Sequence, residues 1–270
     1  MTIHYSFLKW AGSKRSALNN LFKYIPREGA VFVEPFLGSA TVALNTNYDR
    51  YILNDINPDL INLYKLIVKC PEKFLSDTES LFIESNNRKR AFLELRERYN
   101  TSVCPNERSL IFVYLNRHCF NGLMRYNSKG FYNTSFGKYN RPLIPEKEVY
   151  FFAEKFKKAR FSSLPFESLR FNSGNDTVIY CDPPYIPKSK TASFAAYNQL
   201  GFSEKLHKKL DKNCEKWAKK GSLVFVSNHD VLLLDELYPR KITSNSFFVP
   251  RTISCKIDNR KAIKEVLMGY

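Results

Sequence analysis

The stretch from residue 30 to residue 57, AVFVEPFLGSATVALNTNYDRYILNDIN, constrains the fold more than any other part of the chain. AVFVEPF (30–36) has strand composition and breaks at Glu34-Pro35. LGSATVALN (37–45) is a turn running into a helix, and RYILNDIN (50–57) is a second strand ending at Asp55. Parallel neighbours need a crossover, so strand, turn, helix and strand in this order predict a βαβ unit and a parallel sheet. The pattern then extends. PDLINLYKLIVK (58–69) has helical apolar spacing behind a proline start, and helices are predicted at 146–159 and 203–220. TVIYCD (177–182) and SLVFVSNHD (222–230) are further strands. The fold class expected is α/β, a Rossmann-like sheet with helices on both faces.

Between these segments the texture changes. Residues 72–117 are predicted largely helical. HCFNGLMRYNSKGFYNTSFGKYNRP (118–142) mixes Asn, Gly, aromatics and base, with a hairpin expected near Lys129-Gly130. The expected organisation is a sheet domain, 1–56 and 146–270, interrupted by a mostly helical module at 57–145.

Lys and Arg number 42 against 26 Asp and Glu, a formal charge of +16, in a chain of 270 residues that is 44% hydrophobic. That content supports a packed core, and the excess base fits a polyanionic partner, most simply nucleic acid. The basic run KLHKKLDKNCEKWAKK (205–220) reads as a solvated helix face. The six cysteines and four histidines fall in no zinc spacing, so no metal is expected and free buried thiols are. MTIHYSFLKW lacks the charge and apolar core of a signal peptide, and no apolar run reaches membrane-spanning length. A cytosolic protein is expected.

Two constellations carry chemistry. In the first, Gly38 permits a tight turn after the first strand, and Asp55 closes the next strand about 20 residues beyond, where a doubly wound fold hydrogen-bonds a ribose. The turn matches neither GxGxxG nor a P-loop. It carries an acid, Glu34, where a phosphate would want none and where an amino acid's ammonium would be welcome. That combination points to S-adenosylmethionine. In the second, IYCDPPYIP (179–187) ends a strand on Asp182 and two prolines, which cannot continue a ladder. If the substrate is a base amino group, it is a poor nucleophile, because its lone pair is conjugated into the ring. Asp182 and the Pro183 carbonyl offer acceptors for its two N–H groups, and Tyr185 offers a stacking face. Such a site works by positioning and electrostatics, on a base flipped out of the duplex.

DPPY (182–185), with FLKWAGSK (7–14), VEPFLGSA (33–40) and LNDIN (53–57), resembles the Dam-type DNA adenine-N6 methyltransferases. The likeness extends to 114–139, 186–197, SNHD (227–230) and RTIS (251–254). The resemblance implies a methyltransferase that uses S-adenosyl-L-methionine, releases S-adenosyl-L-homocysteine, and methylates adenine in double-stranded DNA, within GATC, as a monomer at the nucleoid. It implies a cofactor pocket lined by Trp10, Lys14, Glu34, Phe36, Gly38, Asp55 and Asp182. It implies that Asp182, Pro183 and Tyr185 hold the adenine, and that Lys9 and the 118–139 hairpin face DNA. There Arg125 would read a guanine edge, Phe120 would insert into the stack, and Asn121, Leu123, Ser135 and Tyr139 would lie nearby. Arg117 would meet phosphate. His229 of SNHD is expected to be a structural hydrogen-bonder rather than a base. The chain departs from the family at Ser13 and Ala40, where glycine is common, and at Phe120 and Ser135, where tyrosine and proline are. Ala40 is expected to need only an ordinary φ. The alternatives are a catalytically silent DNA-binding regulator on the same fold, or an amino-methyltransferase for cytosine N4, RNA or a protein glutamine.

Overall fold

The structure, a computed structural model, describes residues 2–186, 202–250 and 262–270. All but the first residue of the 186–197 segment, and all of 251–254, lie outside the described residues. The helices are α1 (Leu18–Leu21), α2 (Thr41–Leu44), α3 (Pro58–Lys69), α4 (Pro71–Glu79), α5 (Lys89–Thr101), α6 (Pro105–His118), α7 (Glu146–Lys155), α8 (Glu204–Ala218) and α9 (Leu234–Leu237). The strands are β1 (Glu28–Glu34), β2 (Asn47–Asn54), β3 (Arg160–Ser162), β4 (Thr177–Cys181), β5 (Leu223–His229), β6 (Thr243–Val249) and β7 (Ile263–Gly269). The chain divides into two compact units. One comprises residues 1–13, 38–45 and 57–163; the other comprises 14–37, 46–56 and 164–270.

The second unit contains six strands in the order β2-β1-β4-β5-β7-β6. The first four run parallel, and all of β4 is buried. That explains its unbroken apolar sequence, since a strand covered on both faces has no polar side to show. The sheet is not purely parallel, as the βαβ reading expected. β7 lies antiparallel between β5 and β6. The edge strand β6, TSNSFFV, is polar and half exposed, so it carries no apolar alternation to read. Helix α8 buries His207, Leu210, Asp211 and Cys214 and turns lysines to solvent, as the basic run suggested. Cys119, Cys181 and Cys214 are buried thiols, but Cys70 and Cys104 are exposed, against the expectation for cysteines. No described helix is long and apolar enough to cross a membrane.

The first unit is mostly helical. Asn57 caps α3, its side chain accepting from the Asp59 and Leu60 amides, and Pro58 supplies the preset φ of a first helical turn. Asp59 then anchors a polar network. Arg108 of α6 donates to both its carboxylate oxygens (2.8 and 2.5 Å), and the Tyr99 hydroxyl donates at 2.6 Å. Tyr99 also meets the Tyr126 hydroxyl at 2.8 Å, which ties the loop after α6 to α3 and α5. The hairpin expected near Lys129-Gly130 is present. Its ends meet at the bridges Cys119–Phe136 and Tyr126–Tyr132, and its turn closes through Asn127 and Phe131.

The turn before α2 corrects one expectation. Gly38 has φ +47, and a Cβ there would lie 2.8 Å from Nε1 of Trp10. Ala40 does not hold an ordinary φ: it sits at +59 with ψ +20, in the left-handed region, and is fully buried. A Cβ costs roughly 1–2 kcal/mol there, which is the physical reason glycine suits this position. Ala40→Gly is therefore expected to stabilise the protein by about 0.5–1 kcal/mol after glycine's own entropy is counted. Urea denaturation checks this, and a loss of stability would show that the alanine methyl contributes more by packing than it costs in strain.

Candidate active site

Three acids stand at the carboxyl ends of three neighbouring parallel strands. Glu34 is the last residue of β1, Asp55 follows the last residue of β2, and Asp182 follows the last residue of β4. Strand order reverses across β1, with β2 on one side and β4 on the other. In an open α/β sheet this switch point leaves the crevice where ligands bind. Buried Asn54 holds the turn beyond β1. Its amide donates to the carbonyls of Pro35 and Leu164, its Oδ1 accepts from the Leu164 amide, and its carbonyl accepts from the Leu37 amide. Phe36 packs with Phe166 and Phe202, centroids 5.4 and 5.6 Å away.

Asp182 is the focus of the crevice. Its Oδ2 lies 2.8 Å from Nζ of Lys14, and both side chains are largely buried, 19% and 7% exposed. Its Oδ1 is buried with no hydrogen-bond partner among the described residues. Burial pushes the Asp182 carboxyl above its ordinary value, and the Lys14 ammonium pulls it back toward the charged form. Nζ of Lys14 also stands 4.7 Å from the centroid of the Tyr185 ring. The Tyr185 hydroxyl donates to Glu265 Oε2 at 3.1 Å, and the His229 ring meets Tyr185 edge-on at 4.8 Å.

The segment SNHD holds the far side of the proline corner. Asn228 Oδ1 accepts from the Ile186 amide at 3.0 Å, and His229 Nδ1 donates to the Ile186 carbonyl at 2.9 Å. A carbonyl can only accept, so this bond places a proton on Nδ1. The contact supports the structural role expected of His229. Ser227 meets the buried Tyr180 hydroxyl at 2.8 Å.

The residues expected at DNA gather in the first unit. The Lys9 backbone is bracketed by the buried Asn116 side chain, which accepts from the Lys9 amide (2.9 Å) and donates to its carbonyl (2.7 Å). Nζ of Lys9 stands 3.9 Å over the Tyr139 ring and 3.5 Å from the Arg117 carbonyl. The Tyr139 hydroxyl accepts from the Asn121 amide, and Asn121 takes a left-handed turn at φ +53. Nε of Arg117 is buried without a partner among the described residues, and desolvation lowers that guanidinium's pKa. Phe120 is exposed; Leu123 is half-buried. Arg125 is exposed, and its Nε donates to Asn133 Oδ1 at 2.9 Å, which orients the guanidinium. Ser135 is exposed and acts through its carbonyl, which accepts from the Phe120 amide. Trp10 and Gly38 touch each other in this unit.

The residues absent from the sequence reading are Asn54, Asn116, Asn133 and Glu265. Asn54, Asn116 and Glu265 work through partners distant in sequence, and Asn133 works across the hairpin on Arg125. Two had a local signal: Asn116 as an amide inside the apolar run IFVYLNR, and Asn54 as a member of the LNDIN motif.

A profile of the D12 class N6 adenine-specific DNA methyltransferases matches residues 10–248. The chain is 43% identical over 263 residues to the DNA adenine methylase of Vibrio cholerae serotype O1, covering 97% of this chain and 94% of that protein. It is 40% identical over 269 residues to the DNA adenine methylase of Serratia marcescens, with 98% of each covered. Against the DNA adenine methylase of Escherichia coli K12 the figure is 38% over 265 residues, with 98% and 95% covered.

The ion pair fixes a sign. Lys14→Met removes the cation that favours the charged carboxylate, so the Asp182 titration is expected to move further upward. Carboxyl-carbon NMR across a pH series reads this, and an unmoved or lowered midpoint would contradict the pairing.

Proposed function

The chain belongs to the D12 class N6 adenine-specific DNA methyltransferases, and from that premise we propose how its own residues carry out methyl transfer to the adenine amino group in DNA. The observation that carries the reading is Asp182: one oxygen held by Lys14, the other buried and unpartnered, at the switch-point crevice beside Tyr185. The orphan oxygen and the Pro183 carbonyl accept the two N–H bonds of the adenine amino group. Two acceptors favour a pyramidal nitrogen and release its lone pair from the ring. Tyr185 supplies the face on which the extruded base stacks. Nζ of Lys14 stands 4.7 Å from the centroid of that ring, so it moves off the face as the base stacks while the amino group binds the oxygen of Asp182 that Lys14 does not hold. The exocyclic nitrogen becomes acidic once alkylated and loses its proton without a dedicated base, which agrees with His229 being engaged by Ile186.

The cofactor of this reading is S-adenosylmethionine, and the crevice suits it. Glu34 and Asp55 are acids at adjoining strand ends, suited to an ammonium and to ribose hydroxyls, and Phe36 adds an apolar wall. When bound, the cofactor supplies an electrophilic methyl group on its sulfonium. Lys14, Glu34, Phe36, Asp55 and Asp182 would hold it.

Residues 57–145, with Lys9, carry DNA recognition in this proposal. Arg125, oriented by Asn133, reads a guanine within GATC, Arg117 meets phosphate, and the protein acts as a monomer on the nucleoid. The charge of +16 suits a polyanion.

Asp182→Ala is expected to abolish transfer of a radiolabelled methyl group to duplex DNA while DNA binding stays within about twofold. Near-normal turnover would remove Asp182 from the mechanism. Digestion of the product to nucleosides should yield N6-methyldeoxyadenosine. N4-methylcytosine, or label in RNA or protein, would overturn the substrate. Arg125→Ala should relax discrimination at one guanine of GATC by about 1–3 kcal/mol. An unchanged ranking across single-base variants would contradict that assignment.

A further inference from the structure

We infer that Glu265 is a positioning residue for methyl transfer, acting through the Tyr185 ring. The inference rests on Tyr185 being the stacking platform. The ring lies on a loop that two prolines stiffen but do not orient, because a tyrosine side chain still turns about its own torsions. Two neighbouring strands fix it. β7 brings Glu265 directly opposite His229 of β5 in the antiparallel register. From those two positions the carboxylate takes the Tyr185 hydroxyl at 3.1 Å, and the imidazole closes on the ring edge at 4.8 Å and 76°. The imidazole is itself held by the Ile186 carbonyl. The rim of the ring is thus pinned at its tip and at one edge, which leaves its orientation little freedom.

The choice of a carboxylate adds an electronic effect. A phenol donating to an anion carries more electron density in its ring, so the ring face attracts positive charge more strongly. The ammonium of Lys14 stands 4.7 Å from that centroid, within reach of the ring face. Adenine gains positive charge as its amino group is alkylated, before the proton leaves. A ring enriched by Glu265 therefore holds the developing cation better than the neutral base, and an interaction stronger in the transition state raises the rate of transfer rather than substrate affinity. A carboxylate tie that served only to fasten β7 to the loop would change stability without this selectivity.

The test is a double-mutant cycle read in single-turnover methyl transfer, with DNA affinity measured beside it. Glu265→Ala is expected to slow transfer by about tenfold with the Kd for DNA unchanged. Glu265→Gln, which keeps an acceptor of the same size but not its charge, should recover the positioning part of that loss and leave a smaller deficit from the missing electronic effect. Tyr185→Phe should slow transfer comparably, and Glu265→Ala added to Tyr185→Phe should cost nothing more. Duplex carrying 2-aminopurine at the target should fluoresce more brightly with Glu265→Ala, because a loosened ring quenches the extruded base less. Additive losses in the cycle, or a normal transfer rate in Glu265→Ala, would overturn the inference. Should the alanine variant fail to fold, Tyr185→Phe decides, since it removes only the donor; a normal rate there overturns the inference. Tyr185→Ala separates the premise: if it transfers methyl normally, the stacking platform itself is wrong. If it is inactive while Glu265→Ala is normal, only the role of Glu265 falls.

Discussion

Two adjacent prolines decide where the chemistry can be. Neither can donate to a sheet ladder, so β4 stops at Cys181 and Asp182 is delivered to the mouth of the crevice between β1 and β4. Around the corner, Lys14 favours the charged form of that acid against the cost of burial, and hydrogen bonds to the following backbone aim it. Lys14 offsets the cost of burying it, since a buried carboxylate without a cation would take up a proton instead. Asn228 and His229 hold the chain on the far side through both polar groups of the Ile186 backbone. The corner is stiff because its covalent geometry and its hydrogen bonds agree.

The helical unit uses the same device for a different purpose. Its loop rich in Asn and Gly buries the Tyr132 ring against Tyr99 and packs Phe136 on Phe92, but it has no regular ladder to fix its backbone. Buried and half-buried polar side chains hold it as well: Asp59 with Arg108, Tyr99 and Tyr126 at one end, Asn116 with Lys9 at the other. Each such group is costly to bury alone, so losing one partner would loosen the hairpin as well as weaken the fold. Arg125 and Tyr126 are neighbours in sequence, so the network that anchors the tyrosine also places the arginine proposed to read DNA.

Much of this was legible beforehand. The βαβ run, the helix after Pro58, the hairpin near Gly130 and the acids at strand ends follow from period, turn chemistry and motif. Two features of the backbone were not. The β6–β7 pair escaped because an exposed polar edge strand has no hydrophobic alternation to detect. Alanine normally avoids a positive φ, so nothing in the letters marks Ala40 as left-handed.

By itself, the sequence determined the local items: which segments are strands or helices, that the ladder breaks at Asp182, and that acid, ring and base fall in the order of one enzyme family. Those depend on a residue and its near neighbours, so a string of letters contains them. The tertiary structure alone decided the partners. Lys14 meets Asp182 and Glu265 meets Tyr185 across long stretches of chain, and Asn116 reaches back to Lys9. Hydrogen bonds and ion pairs form over about 3 Å, and no rule of spacing in sequence states which distant residues the sheet and the helices will bring that close.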